Sequence, residues 1–122
     1  MRPKFRAWTE EGKVMYYDVY PFKDDTLLLS YDEISFDEVP ASDFILMQST
    51  GLFDKKDEEI FESDIVKVLN SLYTVFYDSE KGSFRLKPHD KRWHTDYMSN
   101  FSHGGNFEVI GNMYEGVSDD NS

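Results

Sequence analysis

Three histidines, His89, His94 and His103, stand near Asp90 and Asp96, and imidazole together with carboxylate is the donor set of zinc and iron centres. Their spacing contains no His-Glu-x-x-His pair, and the single His89-Asp90 dipeptide lacks the further histidines that a metal-dependent phosphohydrolase needs. They read as surface histidines, and neither a metal nor any other cofactor is assigned. The carboxylates Asp54, Asp57, Glu58, Glu59, Glu62 and Asp64 are dense enough to suggest calcium, but the run lacks the ligand spacing and central glycine of an EF-hand loop. No G-x-S-x-G elbow presents a serine, and Gly104-Gly105 belongs to neither a Walker loop nor a dinucleotide fingerprint. With 24 acidic residues, any choice of a catalytic carboxylate pair is arbitrary, so no catalytic residue is named.

A basic segment is the sharper anomaly. The chain carries a formal charge of −11, yet between residues 81 and 92 Lys81, Arg85, Lys87, Lys91 and Arg92 oppose one acid, Asp90. Phe84, Trp93 and Tyr97 are interleaved with them, and basic residues alternating with aromatic rings can track and stack a single nucleic-acid strand. The same residues also suit a salt-bridged surface, or contact with the acidic stretch Asp54 to Glu62 of a neighbouring subunit. The overall acidity argues against general phosphate-backbone binding, whose affinity comes from counterion release by Lys and Arg. Nucleic acid is therefore the lesser expectation, though it stays open.

The elements that would position these residues are short strands. At 122 residues and 14.4 kDa the chain is the size of one domain, and ten Phe, eight Tyr and two Trp supply much of its apolar volume. The absence of cysteine excludes disulfides and thiolate chemistry and fits a reducing cytosol. Apolar runs such as Phe44-Ile45-Leu46-Met47 are too short to span a bilayer, and no apolar signal region follows Met1-Arg2-Pro3-Lys4. No membrane contact is expected.

Alternation over Phe5 to Trp8, the polar turn Glu10-Glu11-Gly12-Lys13 and the run Val14 to Tyr20 predict an opening β-hairpin. Further strands are expected over Thr26 to Tyr31 and Asp43 to Gln48, with a break at Pro40, a turn at Thr50-Gly51 and a solvated acidic loop from Asp54 to Glu59. Ile65 to Leu69, Tyr73 to Tyr77 and Ser83 to Leu86 predict a three-stranded meander turning at Asn70-Ser71 and Glu80-Lys81-Gly82. A long loop or short helix should bridge residues 87 to 106 before the strand Phe107 to Tyr114, and a polar tail follows over 117–122.

Three blocks carry a family resemblance. They are Lys4-Phe5-Arg6-Ala7-Trp8 with Lys13 and Met15; Leu46-Met47-Gln48 with Thr50-Gly51-Leu52 and Asp64-Ile65-Val66; and Phe107-Glu108-Val109-Ile110-Gly111-Asn112 with Tyr114-Glu115. Together they resemble the YopX family of phage and prophage proteins, across nearly the whole chain. The resemblance implies a mostly β protein of temperate phages or integrated prophages, without an assigned catalytic residue or cofactor. Phe5, Arg6, Trp8, Thr50, Gly51, Asp64, Gly111 and Asn112 then stand as structural motif positions, with Trp8 and Trp93 as buried anchors. The chain departs from the family pattern where Lys56-Asp57 replaces Asn-Gly and where Glu62-Ser63-Asp64 replaces Glu-Gly-Asp. If glycine serves positive φ there, Ser63 carries backbone strain.

The fold expected is mainly β: one domain over 1–122, with a small SH3-like barrel or bent sheet in the C-terminal half and the N-terminal hairpin packed on it. A subdivision into 1–50, 51–116 and a flexible 117–122 is compatible with the same pattern. The leading functional expectation is a non-enzymatic accessory protein in the cytoplasm of a bacterial host. It would act through self-association or a host or phage protein partner. A nucleic-acid module using residues 81–97 and an enzyme of unrecognised type are the alternatives.

Overall fold

The structure, a computed structural model, describes residues 4–92, 95–97 and 107–117. Among these residues twelve β-strands and one 3₁₀ turn make up the regular structure, and the chain divides into two compact units, 1–49 and 50–122. The mainly β expectation holds.

In the first unit β1 (Phe5–Thr9) and β2 (Val14–Pro21) form the opening hairpin, with Trp8 opposite Met15 and Thr9 opposite Val14. Lys13 rather than Gly12 takes the positive φ of its turn, at 53°. β3 (Thr26–Leu29) pairs with β2, and β4 (Asp37–Pro40) with β3. Sequence reasoning missed β4 because Pro40 reads as a breaker. At the end of an edge strand, however, its missing N–H costs no ladder bond. The 3₁₀ turn Ala41–Asp43 leads into β5 (Ile45–Phe53), which pairs with β1 through Ile45 to Gln48. Alternate residues of these strands, Ala7, Val19, Leu27 and Leu29, close a small apolar core, with Tyr16, Val39 and Phe44 packed against it. Burying each Leu contributes about 1.5–3 kcal/mol.

β5 continues through Thr50 and Gly51 into the second unit, which corrects the turn expected there. Gly51 does adopt φ 80°, but inside the strand. The Thr50 hydroxyl accepts the Leu52 N–H at 3.0 Å and donates to the Ile60 carbonyl at 2.8 Å, so side-chain bonds hold the irregularity. β6 (Glu59–Phe61) follows β5 as the end of the first sheet, ordered β4-β3-β2-β1-β5-β6.

The second sheet is ordered β10-β9-β8-β7-β11-β12 and contains the expected meander of β7 (Asp64–Val68), β8 (Ser71–Asp78) and β9 (Ser83–Pro88). Val68 pairs with Ser71, so the connecting turn is Leu69-Asn70, one residue earlier than expected, and Leu69 stands at φ 57°. β10 (Asp96–Tyr97) pairs with β9, while β11 (Phe107–Asn112) pairs with β7 on one side and β12 (Gly116–Val117) on the other. The sheet is therefore open, not a closed SH3-like barrel: β12 occupies the edge of β11 that closure would need. Val117, expected in the tail, belongs to this edge, while residues 118–122 lie outside the described residues. Ile60, Val66, Val68, Tyr73, Val75, Leu86 and Phe107 form the core of this unit.

Candidate functional site

The basic segment is built on the β8–β9 hairpin. Arg85 and Lys87 alternate with Phe84 and Leu86 along β9, which sends Leu86 into the core and packs Phe84 against it, in edge contact with Tyr77 at 5.1 Å. Phe84 is thus turned away from its basic neighbours and is not a stacking platform. Arg85 Nη1 donates to Asp78 Oδ2 at 2.9 Å in a half-buried pair. That hydrogen bond, with the backbone N–H groups of Lys81 and Glu80, holds the Asp78 carboxyl below its ordinary range. Arg92 grips Asp90 through Nε and Nη2, the shortest contact being 2.7 Å, and lowers that carboxyl likewise. Two of the five cations are thereby neutralised locally, leaving Lys81, Lys87 and Lys91 exposed. Trp93 lies outside the described residues, and Tyr97 is placed only as the β10 register partner of Arg85.

The acidic run is exposed from Lys55 to Glu58, as expected of a solvated loop, but its first residue is buried. Asp54 is only 6% exposed, and its carboxylate accepts N–H bonds from Lys56 and Glu58 at 2.8 Å and from Val109 at 2.9 Å. Lys55 N–H donates to the Phe107 carbonyl, and both lysines reach Glu108, at 3.3 and 3.1 Å. These two ammonium groups, Lys56 first, hold the Glu108 carboxyl below its usual value. A buried acceptor with three amide partners organises the loop and ties it to β11. Asp57, where the family has glycine, takes φ 68°, a conformation that aspartate tolerates.

The remaining motif positions stand on strands. Arg6 and Trp8 are buried on β1, and Trp8 Nε1 donates to Glu10 at 2.8 Å. Asp64 is 2% exposed and accepts the Phe61 N–H at 2.8 Å across the β6–β7 turn, in which Ser63 stands at φ 70°. Asn112 accepts the N–H groups of Tyr114 and Glu115 and donates to the Glu115 carboxylate, closing the β11–β12 hairpin. A Cβ on Gly111 would overlap the Gly116 carbonyl oxygen and stand 2.7 Å from Val117 Cα, so close strand approach requires glycine there. His89 contacts Thr74 at 2.8 Å, and His94 and His103 lie outside the described residues. Among the described residues no group of three His, Asp or Glu side chains is arranged to hold a metal.

Sequence reasoning overlooked a surface on the first unit. Asp32 Oδ1 accepts the N–H groups of Ile34 and Ser35 at 2.9 and 3.0 Å, which fixes the loop after β3 and lowers the Asp32 carboxyl. The loop holds Ile34 86% exposed beside exposed Tyr31 and Phe36, and Phe36 packs on exposed Tyr20 at 5.9 Å. The signal was present in Asp32-Glu33-Ile34-Ser35, an aspartate followed by the residues whose amides it can cap. Beside it opens a cleft of about 400 Å³ between the β1–β2 turn and the 3₁₀ turn. Tyr16, Tyr31 and Phe44 line it, together with Glu11 and Asp43.

The sequence model of the YopX protein family matches residues 4–117. The chain belongs to the YopX family. A crystal structure of protein EF1440 from Enterococcus faecalis is similar to it, with a TM-score of 0.65 and 26% identity, over 94% of this chain and 95% of that one. No curated protein matches the chain. For this YopX-family chain, positive φ at both Asp57 and Ser63 agrees with the glycines that the family resemblance led one to expect at those positions. No helix among the described residues is long and apolar enough to cross a membrane.

Proposed function

We propose that this YopX-family chain is a phage or prophage accessory protein of the host cytosol that works by protein contact rather than by catalysis. The observation that carries this reading is the Tyr31–Phe36 loop. Its backbone is pinned by Asp32, so the points from which its apolar side chains project are fixed before any partner arrives. Preorganisation of that kind lowers the entropic cost of association, and exposed aromatic and aliphatic groups are the usual anchors of protein interfaces. The pairing of Arg85 with Asp78 and of Arg92 with Asp90 weighs against the nucleic-acid alternative.

Sedimentation of the native chain and of an Ile34→Ser/Phe36→Ser variant tests the reading, alongside capture from phage-infected cells. A concentration-dependent mass above 14.4 kDa that the variant abolishes supports self-association. A native monomer that retains one defined host or phage protein, which the variant loses, supports a heterologous partner. Equal behaviour of the two proteins in both measurements overturns the role of the loop.

A further inference from the structure

The cleft beside that loop has the composition of a cation site. Tyr16 lies 5.4 Å from Tyr31 at 88° and 6.1 Å from Phe44 at 73°, so it meets each of these two rings in an edge contact, and all three line one space. Aromatic faces carry negative quadrupole density, and rings set at such angles can present it to a cation from more than one side. Carboxylates complete the set. In the β1–β2 turn Glu10 is already taken by Trp8 Nε1 and Lys13, whereas Glu11 lines the cleft, and Asp43 lines it from the 3₁₀ turn. Among the described residues neither Glu11 nor Asp43 is paired with a lysine or arginine. The surrounding field has the same sign, because residues 4–49 contain ten acidic against four basic residues, a net −6.

We infer that this cleft receives the side-chain cation of a lysine or arginine projecting from a partner protein. The inference rests on the protein-contact reading above and specifies what the partner must bring. Several features favour a side chain over a free metabolite. The cleft is open rather than enclosed, it adjoins the exposed Tyr31 shared with the apolar loop, and its carboxylates sit at two separate turns able to address a group entering from outside. The apolar stem of a lysine or arginine would lie along Val39 and Pro40 while its charged end meets the rings and acids. A partner surface pairing one such side chain with an apolar anchor for Ile34 would complement both features, while a second copy of this acidic unit would be repelled.

The test follows the ring protons of Tyr16, Tyr31 and Phe44 by NMR in the full chain. The titrants are Nα-acetyl-lysine methylamide, its arginine analogue, the neutral norleucine analogue and tetramethylammonium. Lysine or arginine amide should shift all three rings together with a Kd of roughly 1–10 mM, weakening with salt, while norleucine amide leaves them unmoved. Glu11→Gln/Asp43→Asn, two exposed surface changes that keep the rings, should weaken that binding at least about threefold. Equal shifts from norleucine amide, an unaffected carboxamide variant, or no saturable shift by about 50 mM amide overturns the inference. Tetramethylammonium binding without the amides does so too, in favour of a small quaternary ammonium ligand. Neither carboxamide change touches Ile34 or Phe36, so complexes that survive in the preceding test while these titrations fail would refute the cation site alone.

Discussion

The two units solve the problem of their apolar side chains differently. The second encloses Ile60, Val66, Val75, Leu86 and Phe107 almost completely and uses Asp54 and Asp64, both buried acceptors, to fix its loops from within. The first closes a smaller cluster around Val19, Leu27 and Leu29 and leaves Tyr17, Phe22, Tyr31 and Ile34 more than half exposed. Its organising aspartate, Asp32, holds apolar groups out toward solvent rather than in. The second unit leaves Leu69 and Met113 exposed as well, but the first sets Tyr31, Ile34 and Phe36 together on one loop, and the two should respond differently to substitution.

The largest effect should come from the enclosed unit. Phe107→Ala, which leaves a cavity among Val68, Leu86 and their neighbours, should cost about 3–5 kcal/mol in denaturant unfolding, whereas Ile34→Ser should stay within about 0.5 kcal/mol of the native chain. Comparable losses from both would erase the distinction. Asp54→Ala comes next, because it strips the acceptor from three N–H groups. A loss of about 3 kcal/mol is expected, accompanied by faster amide exchange at Lys56, Glu58 and Val109. A neutral result would mean that water replaces the carboxylate and that the loop is not organised from within.

Smaller changes of opposite sign are expected where side chains sit at positive φ. Ser63→Gly and Leu69→Gly should each raise the denaturation midpoint, by about 1 kcal/mol, since Leu69 is 86% exposed and gives up little burial. A lower midpoint for either would remove backbone strain as the explanation. The mildest effect concerns pH. The Asp78 carboxyl is lowered in the folded chain, so its pairing with Arg85 contributes stability that is fully present above the ordinary aspartate pKa near 3.8 and is lost as pH falls through the depressed value. Asp78→Asn should therefore shrink the native chain's loss of stability below about pH 4, measured by urea titration at stepped pH; an unchanged acid limb would show the pair to be inert.

Alternation and turn chemistry made the hairpins legible, because both are local. Val14 to Tyr20 and the run from Ile65 to Leu86 each announce their own period, and the departures from the family pattern at Lys56-Asp57 and Ser63 pointed to where positive φ is found, at Asp57 and Ser63. Non-local determinants were hidden. Asp54 looks like one acid among several until Val109, 55 residues later, supplies its third amide. β4 was obscured by Pro40, whose effect depends on lying at a sheet edge. The basic segment looked continuous in the sequence because nothing local says that Asp78, on the preceding strand, faces Arg85. Least legible was the cleft, assembled from the β1–β2 turn, β2, the Asp32 loop and the turn after β4, no one of which is unusual alone.

Gly111 carries a consequence for descent. Ser63 and Asp57 show that a side chain can stand where the dihedral angle alone favours glycine, at a strain of about 1 kcal/mol. At residue 111 the obstacle is the backbone of Gly116 and Val117, and no rotamer choice moves it aside. Every replacement, alanine included, adds the one atom that does not fit. Among YopX-family genomes, drift should therefore be free at the first kind of glycine and arrested at the second, unless the whole closing hairpin is rebuilt in the same step.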